Sequence, residues 1–271
     1  MESELPDNAE LPFVAPCRQL QPLASLHWLR LGARDFCRAC FQSIAYGAFM
    51  AVIMAVVCWL AWSYGSFWFM FAMVGGFIFL APLSCIGLYA ISAQLERGQR
   101  PSLKRALRAG FRRYIGNEMI FALMLLIVFL VWARAGAMVG VFFPMRGNPS
   151  LSDLSTYLAI GSAVGAVFAS VTFSVSAFSL PMIMHRRVDA VTAVVTSINA
   201  VLRNKLAMAV WLALIVMGLL IGVATAFVGL VVILPVIGYA VWHGYLETID
   251  ASGFPRHEAG ITATPRSIAG D

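Results

Sequence analysis

Cysteine and histidine side chains are the first residues in this sequence that could carry chemistry. Cys37 and Cys40 form a CxxC pair, and Cys17 and His27 would complete a set of four zinc ligands. Structural zinc sites usually combine two such paired clusters, and this sequence offers one. We therefore expect no metal site. The sequence has five cysteines, and an odd number argues against a disulfide framework.

Two further histidines could hold a haem group. His185 and His243 lie near the ends of apolar stretches at similar depth, and haem bound between two helices needs such a pair. Histidines at these positions are more often interfacial side chains, so we expect no haem and no other cofactor. The sequence has no GxSxG, HExxH, P-loop or paired-carboxylate motif. We therefore expect no enzyme and no catalytic, cofactor-binding or metal-binding residue.

Charged residues inside the apolar stretches are rare. Arg134 is the only one well within a stretch, and it can extend to the interface or pair with Asp153. Glu118 and Glu247 lie at stretch ends. Buried acidic groups usually mark the path of a proton or ion through a membrane protein. Their absence from the middle of the stretches argues against a proton- or sodium-coupled carrier.

The elements that must position these residues are membrane helices. The chain is 61% hydrophobic and 12% charged, whereas soluble domains carry roughly a quarter charged residues. A helix needs about 20 apolar residues to cross a bilayer. The sequence predicts an all-α fold with six transmembrane helices, at about residues 43–62, 67–92, 119–142 and 156–184, and as two spans within 206–246 joined by a tight turn near 224–226.

Lys and Arg predict the orientation of these spans. Seventeen of the 19 basic residues fall on one side of the six spans, which the positive-inside rule assigns to the cytoplasm. We expect a multi-pass protein of the bacterial inner membrane with both termini cytoplasmic. The net charge of +6 then reflects topology, and we expect no nucleic-acid partner.

The predicted organisation is a transmembrane domain between two tails. Residues 1–21 contain acidic residues and prolines but no apolar core run, so we expect a flexible cytoplasmic tail and no signal peptide. The six-helix domain is predicted over 22–250, and a second flexible tail over 251–271.

The sequence also predicts a threefold internal repeat. Each pseudo-repeat has an interfacial amphipathic helix, over about 25–41, 102–115 or 188–203, followed by a two-span hairpin. The apolar stripes of the first and third interfacial helices are predicted as Leu29, Ala33, Phe36 and Cys40, and as Val191, Val194, Ile198 and Val201. Matching prolines, Pro82, Pro181 and Pro235, predict a common kink in the second span of each hairpin.

Small residues predict close helix packing. The sequence has three GxxxG motifs, at Gly136/Gly140, Gly161/Gly165 and Gly218/Gly222, and this motif lets helix backbones approach closely. The span over 156–184 has two adjacent small-residue lines. We expect it to lie at the centre of the bundle, with self-association as the alternative use of these stripes.

These features resemble a prokaryotic integral-membrane family, the domain-of-unknown-function family two-one-eight-nine. The resemblance covers nearly everything after residue 22 and rests on short motifs: Trp28-Leu29-Arg30-Leu31-Gly32 with Asp35, Gly87-Leu88-Tyr89-Ala90-Ile91-Ser92 with Leu95-Glu96-Arg97-Gly98, Phe178-Ser179-Leu180-Pro181 with Arg187, Ser197 and Asn204, Leu234-Pro235-Val236-Ile237-Gly238, and Trp242-His243-Gly244-Tyr245.

The resemblance implies no assigned reaction. Some members of the family are labelled as cytochrome c oxidase subunits, which implies at most an accessory role near respiratory complexes. A haem–copper core needs many buried histidines, and this chain has four in all. Family members often have Asp and His where this sequence has His185 and Tyr239, so the resemblance assigns no ligand position.

The predicted function is that of a non-enzymatic accessory, assembly or lipid-organising protein. Its expected partners are anionic lipid headgroups and either other membrane subunits or a second copy of the chain. The alternative is a passive channel or small-solute permease, with a polar path lined by Ser170, Thr172, Ser174 and Ser176.

Overall fold

Long apolar helices dominate the chain. A computed structural model describes residues 12–64, 82–104, 115–142 and 150–255. The helices in these ranges, numbered in chain order, are α1 Ala24–Arg38, α2 Cys40–Tyr64, α3 Ile86–Glu96, α4 Ile115–Phe142, α5 Leu151–Ser176, α6 Ser179–His185, α7 Ala190–Arg203, α8 Lys205–Ala224 and α9 Leu230–Thr248. No strand is present in the described ranges, where Cys17 and Ile249 form an isolated β-bridge.

Five segments are long and apolar enough to cross a membrane. They are Cys40–Tyr64, Gly116–Val139, Leu151–His185, Lys205–Ala224 and Leu230–Thr248. All five fall where the sequence predicts spans, because each needs an apolar run of about 20 residues. Most of the predicted span over 67–92 lies outside the described residues, although α3 covers its end. The sixth span and the threefold repeat therefore stay predictions.

The predicted turn between the last two spans is confirmed. Helix α8 ends at Ala224 and α9 begins at Leu230. Ala226 and Phe227 both have positive φ values, of 50° and 69°, which reverse the chain within a few residues. The 41-residue apolar stretch thus folds as two antiparallel spans rather than as one long helix.

The first and third predicted units enter the bundle in the same way. A single residue separates α1 from α2 and α7 from α8. Ala39, with φ −117° and ψ 39°, makes the first break, and Asn204, with φ −120° and ψ 42°, makes the second. This shared backbone geometry supports a relation between these two units. Most of the predicted interfacial helix over 102–115 lies outside the described residues.

The three prolines have different local settings. Pro181 lies in the first turn of α6, after the helix breaks at Ala177 and Phe178, where its missing N–H removes no helical bond. Pro82 precedes a turn at Cys85 that leads into α3. Pro235 lies inside α9. The common kink stays a prediction.

Helix α9 is the centre of the bundle, so our expectation for the span over 156–184 is wrong. Half of the most apolar stretch of α9 is buried (50%), against 11% for Leu151–His185. A Cβ added at Gly161 or Gly165 would meet open space, so these glycines do not pack inside the chain. Gly218 does pack on α9, because a Cβ there would lie 3.0 Å from Ile233.

A proline and a glycine create a close backbone contact between α2 and α9. Pro235 has no N–H, so the carbonyl of Val231 lacks its usual helical donor. That oxygen lies 2.1 Å from the position a Cβ would take on Gly47 of α2. Only glycine can occupy this position without moving the helices apart. The contact fixes α2 against α9 through backbone atoms.

The interfacial helices bury small and polar residues as well as part of the apolar stripe that hydropathy predicts. Helix α1 buries Ala24, Ser25, Trp28, Gly32 and Asp35. Of its predicted stripe, Leu29 and Phe36 are half-buried against the core, and Ala33 and Cys40 are exposed. Lipid tails are as apolar as leucine, so small and polar residues favour helix contacts in a membrane.

Helix α7 follows the same rule. Its buried residues are Ala190, Thr192, Ala193, Thr196, Ser197 and Ala200. Val191 of the predicted stripe is 45% exposed, whereas Val194, Ile198 and Val201 are half-buried and pack against the core. The predicted stripe therefore borders the buried face of α7 rather than forming its centre.

The segment before α1 forms an ordered strap over residues 12–23. The Ala15 N–H donates to Thr196 Oγ1 at 3.2 Å, and the Arg18 N–H donates to the Thr248 carbonyl at 2.8 Å. After α9, the Pro255 carbonyl accepts from the Arg187 N–H at 2.9 Å. Residues 12–21 and 251–255, which the sequence assigns to the flexible tails, therefore include residues hydrogen-bonded to the bundle.

Candidate functional site

A buried carboxylate at the meeting point of three helices is the candidate functional site. Asp35 shares one face of α1 with Trp28 and Gly32, and its residue surface is 5% exposed. A Cβ on Gly32 would lie 2.5 Å from the Val236 carbonyl oxygen, so α1 rests directly on the α9 backbone. This close approach carries Asp35 into the bundle.

Asp35 connects α1 to both α3 and α9. Its Oδ2 atom accepts a hydrogen bond from Ser92 Oγ of α3 and lies 2.8 Å from His243 Nε2 of α9. A buried carboxylate is costly unless hydrogen bonds satisfy it. Two polar partners from two other helices meet that requirement.

This arrangement differs from a nucleophilic triad. In such a triad histidine lies between the serine and the carboxylate and takes the serine proton. Here the carboxylate of Asp35 lies between Ser92 and His243, and the Ser92 hydroxyl donates to it. The geometry supports holding three helices together or holding a proton, and it places no histidine next to Ser92 among the described residues.

A second polar pair lies beside the first. Ser43 of α2 lies 2.8 Å from the Tyr239 hydroxyl of α9 and also donates to the Ala39 carbonyl at 2.8 Å. Since the serine has one hydroxyl proton, Tyr239 must donate to Ser43. These residues tie α2 to α9 next to the Asp35 contacts.

Two tryptophans bind glutamates near the same end of the bundle. Trp28 Nε1 donates to Glu247 at 2.7 Å, and Trp242 Nε1 donates to Glu96 at 3.1 Å. Trp28 is fully buried, and its ring meets that of Trp211 edge-on at 5.7 Å. Together with the Asp35 contacts, these pairs form a polar cluster within an aromatic core.

The candidate metal and haem ligands have separate partners. His185 Nδ1 lies 3.0 Å from the Tyr245 hydroxyl, whereas His243 Nε2 contacts Asp35. Cys17 is buried in the strap, and Cys37 and Cys40 are exposed. Within the described ranges, no three His, Cys, Asp or Glu side chains group as metal ligands.

Two charged residues of α4, Arg134 and Glu118, have different environments. Arg134 is exposed, and no ion pair joins it to Asp153 among the described side chains; Asp153 instead closes a capping box with Ser150 at the start of α5. Glu118 is buried, and its Oε1 has no partner among the described residues.

Three of the four residues predicted to line a polar path bond to their own helix, while the fourth, Thr172, is buried and its Oγ1 has no partner among the described residues. Ser170, Ser174 and Ser176 each donate to the carbonyl of the residue four positions earlier in α5. Ser170 is also exposed on the outer surface of the bundle. These hydroxyls therefore lend no support to the channel or permease alternative.

The contacts of Asp35 do not follow from the prediction that α1 is an interfacial helix. The available signal was the spacing of Ser25, Trp28, Gly32 and Asp35, which places all four on one helix face. A tryptophan and a glycine on the same face as an aspartate indicate helix packing rather than contact with water.

The fold and this polar cluster define a multi-span α-helical integral membrane protein. Consistent with that class, the model of a family described as predicted integral membrane proteins, DUF2189, matches residues 69–185. This match confirms the resemblance over that segment, which includes Ser92 and Glu96 but not Asp35 or His243. No curated protein and no solved structure matches the chain.

Proposed function

We propose that this protein is a non-enzymatic component of the bacterial inner membrane that organises anionic lipid along its basic, cytoplasmic side. The observation that carries this proposal is the arrangement of α1. One face of that helix is fixed to the bundle, and a row of arginines occupies another.

The arginine row consists of Arg30, Arg34 and Arg38, which follow one another at intervals of four residues. All three are exposed, and no ion pair joins them to a carboxylate in the described part of the chain. The opposite face is anchored by Trp28 and Asp35 through Glu247 and His243. The arginines therefore keep a fixed position relative to the membrane spans.

A fixed row of cations at the end of a span suits phospholipid headgroups. Arg38 is separated from the first residue of α2 only by Ala39, so the row ends where the span begins. Each Lys or Arg near an anionic bilayer surface contributes about 1 kcal/mol of attraction. Three such residues would enrich anionic lipid around this end of the protein.

Selectivity for spin-labelled lipids tests this function. The full chain is reconstituted in vesicles, and electron spin resonance measures the motionally restricted fraction of labelled phosphatidylglycerol and phosphatidylcholine. We expect preference for phosphatidylglycerol, falling at least about threefold in the R30Q/R34Q/R38Q variant. The charge-conserving R30K/R34K/R38K variant should retain it. Equal restriction of both lipids by the unmodified protein would refute the proposal.

An assembly role with other membrane subunits stays a prediction. Gly161 and Gly165 of α5 face open space, which leaves room for another helix without indicating which one. Affinity purification from native membranes, followed by identification of co-purifying proteins, is the measurement for that role.

A further inference from the structure

A second cluster of cations forms where α7 meets α8. Arg203 ends α7, Asn204 makes the one-residue break, and Lys205 begins α8. Both charged side chains are exposed. The junction therefore places two cations at the entrance to a membrane span, as the α1–α2 junction does with Arg38.

Asn204 brings a third cation to this junction from a distant part of the sequence. Its Oδ1 accepts from the Leu20 N–H at 2.8 Å, and its Nδ2 donates to the Arg18 carbonyl at 3.0 Å. Asn204 is itself buried. These bonds fix the strap across the junction and bring the backbone of Arg18 to Asn204, the residue between Arg203 and Lys205.

The positive charge of this cluster is poorly neutralised. Asp250 approaches Arg18 at 3.9 Å, and the side chains are 41% and 59% exposed respectively, so the pair is a weak one. No ion pair engages Arg203 or Lys205 within the described ranges. Among these three cations, the described ranges therefore show one ion pair, the loose contact of Arg18 with Asp250.

Exposed leucines flank the cations. Leu202 and Leu206 are 58% and 63% exposed, and they bracket Arg203 and Lys205 in sequence. A soluble anion would pair with the cationic side chains and leave the leucines in contact with water. A phospholipid can use both, because its phosphate meets the cations while its acyl chains cover the leucines.

From this combination we propose that the α7–α8 junction is a binding site for one anionic phospholipid, held by Arg18, Arg203 and Lys205. The site deepens the proposed lipid-organising function and rests on it. It differs from the α1 row in drawing its cations from two segments of the chain that Asn204 joins.

Native mass spectrometry of the full chain tests the site. The detergent-solubilised protein is titrated with phosphatidylglycerol or with phosphatidylcholine, and the lipid-bound population is measured. We expect the R18Q/R203Q/K205Q variant to lose about tenfold or more in phosphatidylglycerol binding. The charge-conserving R18K/R203K/K205R variant should bind like the unmodified protein. Unchanged binding by the glutamine variant, with a circular dichroism spectrum matching the unmodified protein, would overturn the proposal.

Two further arms separate the possible outcomes. The L202S/L206S variant keeps every charge, and we expect it to bind phosphatidylglycerol more weakly; unchanged binding would contradict a lipid as the occupant. The R30Q/R34Q/R38Q variant should retain this site. If R30Q/R34Q/R38Q loses all phosphatidylglycerol binding while R18Q/R203Q/K205Q loses none, the α1 row accounts for the binding and the proposed junction site is wrong. If the unmodified protein does not prefer phosphatidylglycerol, both proposals fail.

Discussion

Asp35 and His243 are in direct contact although 208 positions separate them in the sequence, with Oδ2 and Nε2 2.8 Å apart. Their side chains are 6% and 18% exposed. The pair joins α1, the first helix of the described chain, to α9, the last one. Because Ser92 also donates to Asp35, the same carboxylate holds α3 in place.

Removing the Asp35 carboxylate should destabilise the protein. The D35A variant would leave both the Ser92 hydroxyl and His243 buried without their partner, and breaking such a buried pair costs about 3 kcal/mol. We expect a clear fall in the unfolding temperature, which tryptophan fluorescence measures in detergent. The unfolding temperature of D35N, which keeps a hydrogen-bonding group, should lie between those of D35A and the unmodified protein.

An exposed capping aspartate provides the control, since D153A should cost about 1 kcal/mol. Equal stability of D35A and D153A would contradict the structural role of Asp35.

Two glycines offer a matched test of helix packing. An alanine at position 47 would place its Cβ 2.1 Å from the Val231 carbonyl oxygen, whereas one at position 161 would meet open space. We expect G47A to lose about 2 kcal/mol or more, because α2 and α9 must separate. G161A should be neutral or gain about 0.5–1 kcal/mol from helix propensity. The unfolding temperatures of the two variants in the same detergent give the comparison. A G161A variant as unstable as G47A would show that α5 packs more tightly than the structure has it.

The positions of the membrane spans could be predicted from sequence because hydropathy measures the cost of placing a segment in lipid. Helix α2 covers 40–64 where 43–62 was predicted, and α8 and α9 divide the last apolar stretch near the predicted turn. The length needed to cross a bilayer and the absence of charge were sufficient for these assignments.

The arrangement of the spans could not be predicted in the same way. Inside lipid there is no hydrophobic force that drives apolar faces together, so an apolar stripe does not locate the buried face closely: Val191 is 45% exposed, while Val194 of the same stripe packs against the core. Gly161 and Gly165 have the same motif as Gly218 and Gly222, yet only the latter pair contacts another helix. The contact between Asp35 and His243 depends on long-range packing that local patterns do not encode.

The buried position of Cys17 in the strap predicts slow reaction of its thiol. Burial raises the pKa of the Cys17 thiol, an effect that the Asn199 hydrogen bond and the Arg203 charge partly oppose. At a given pH, Cys17 therefore has a smaller thiolate fraction than a free thiol, and its reaction rate should rise only at higher pH.

Maleimide labelling of single-cysteine variants measures this difference. We expect a chain that retains only Cys17 to react about tenfold more slowly at neutral pH than one that retains only the exposed Cys37. N204A removes the bonds that Asn204 makes to Leu20 and Arg18, so it should accelerate the labelling of Cys17 and leave Cys37 unchanged. Fast labelling of Cys17 in the presence of Asn204 would mean that the strap is not held as described.

Membrane orientation can be tested at two positions on opposite sides of a span. Cys37 is exposed on α1, next to the basic row, and Ser155 is exposed in the second turn of α5. The excess of Lys and Arg on the side of Cys37 predicts that it faces the cytoplasm. A membrane-impermeant maleimide should therefore label a chain that retains only Cys37 in inside-out vesicles and not in spheroplasts. A cysteine-free chain with S155C should show the reverse, because three spans separate the two positions: α2, the predicted span over 67–92, and α4. Labelling of Cys37 in spheroplasts would reverse the orientation, and labelling of both positions from one side would contradict an odd number of spans between Cys37 and Ser155.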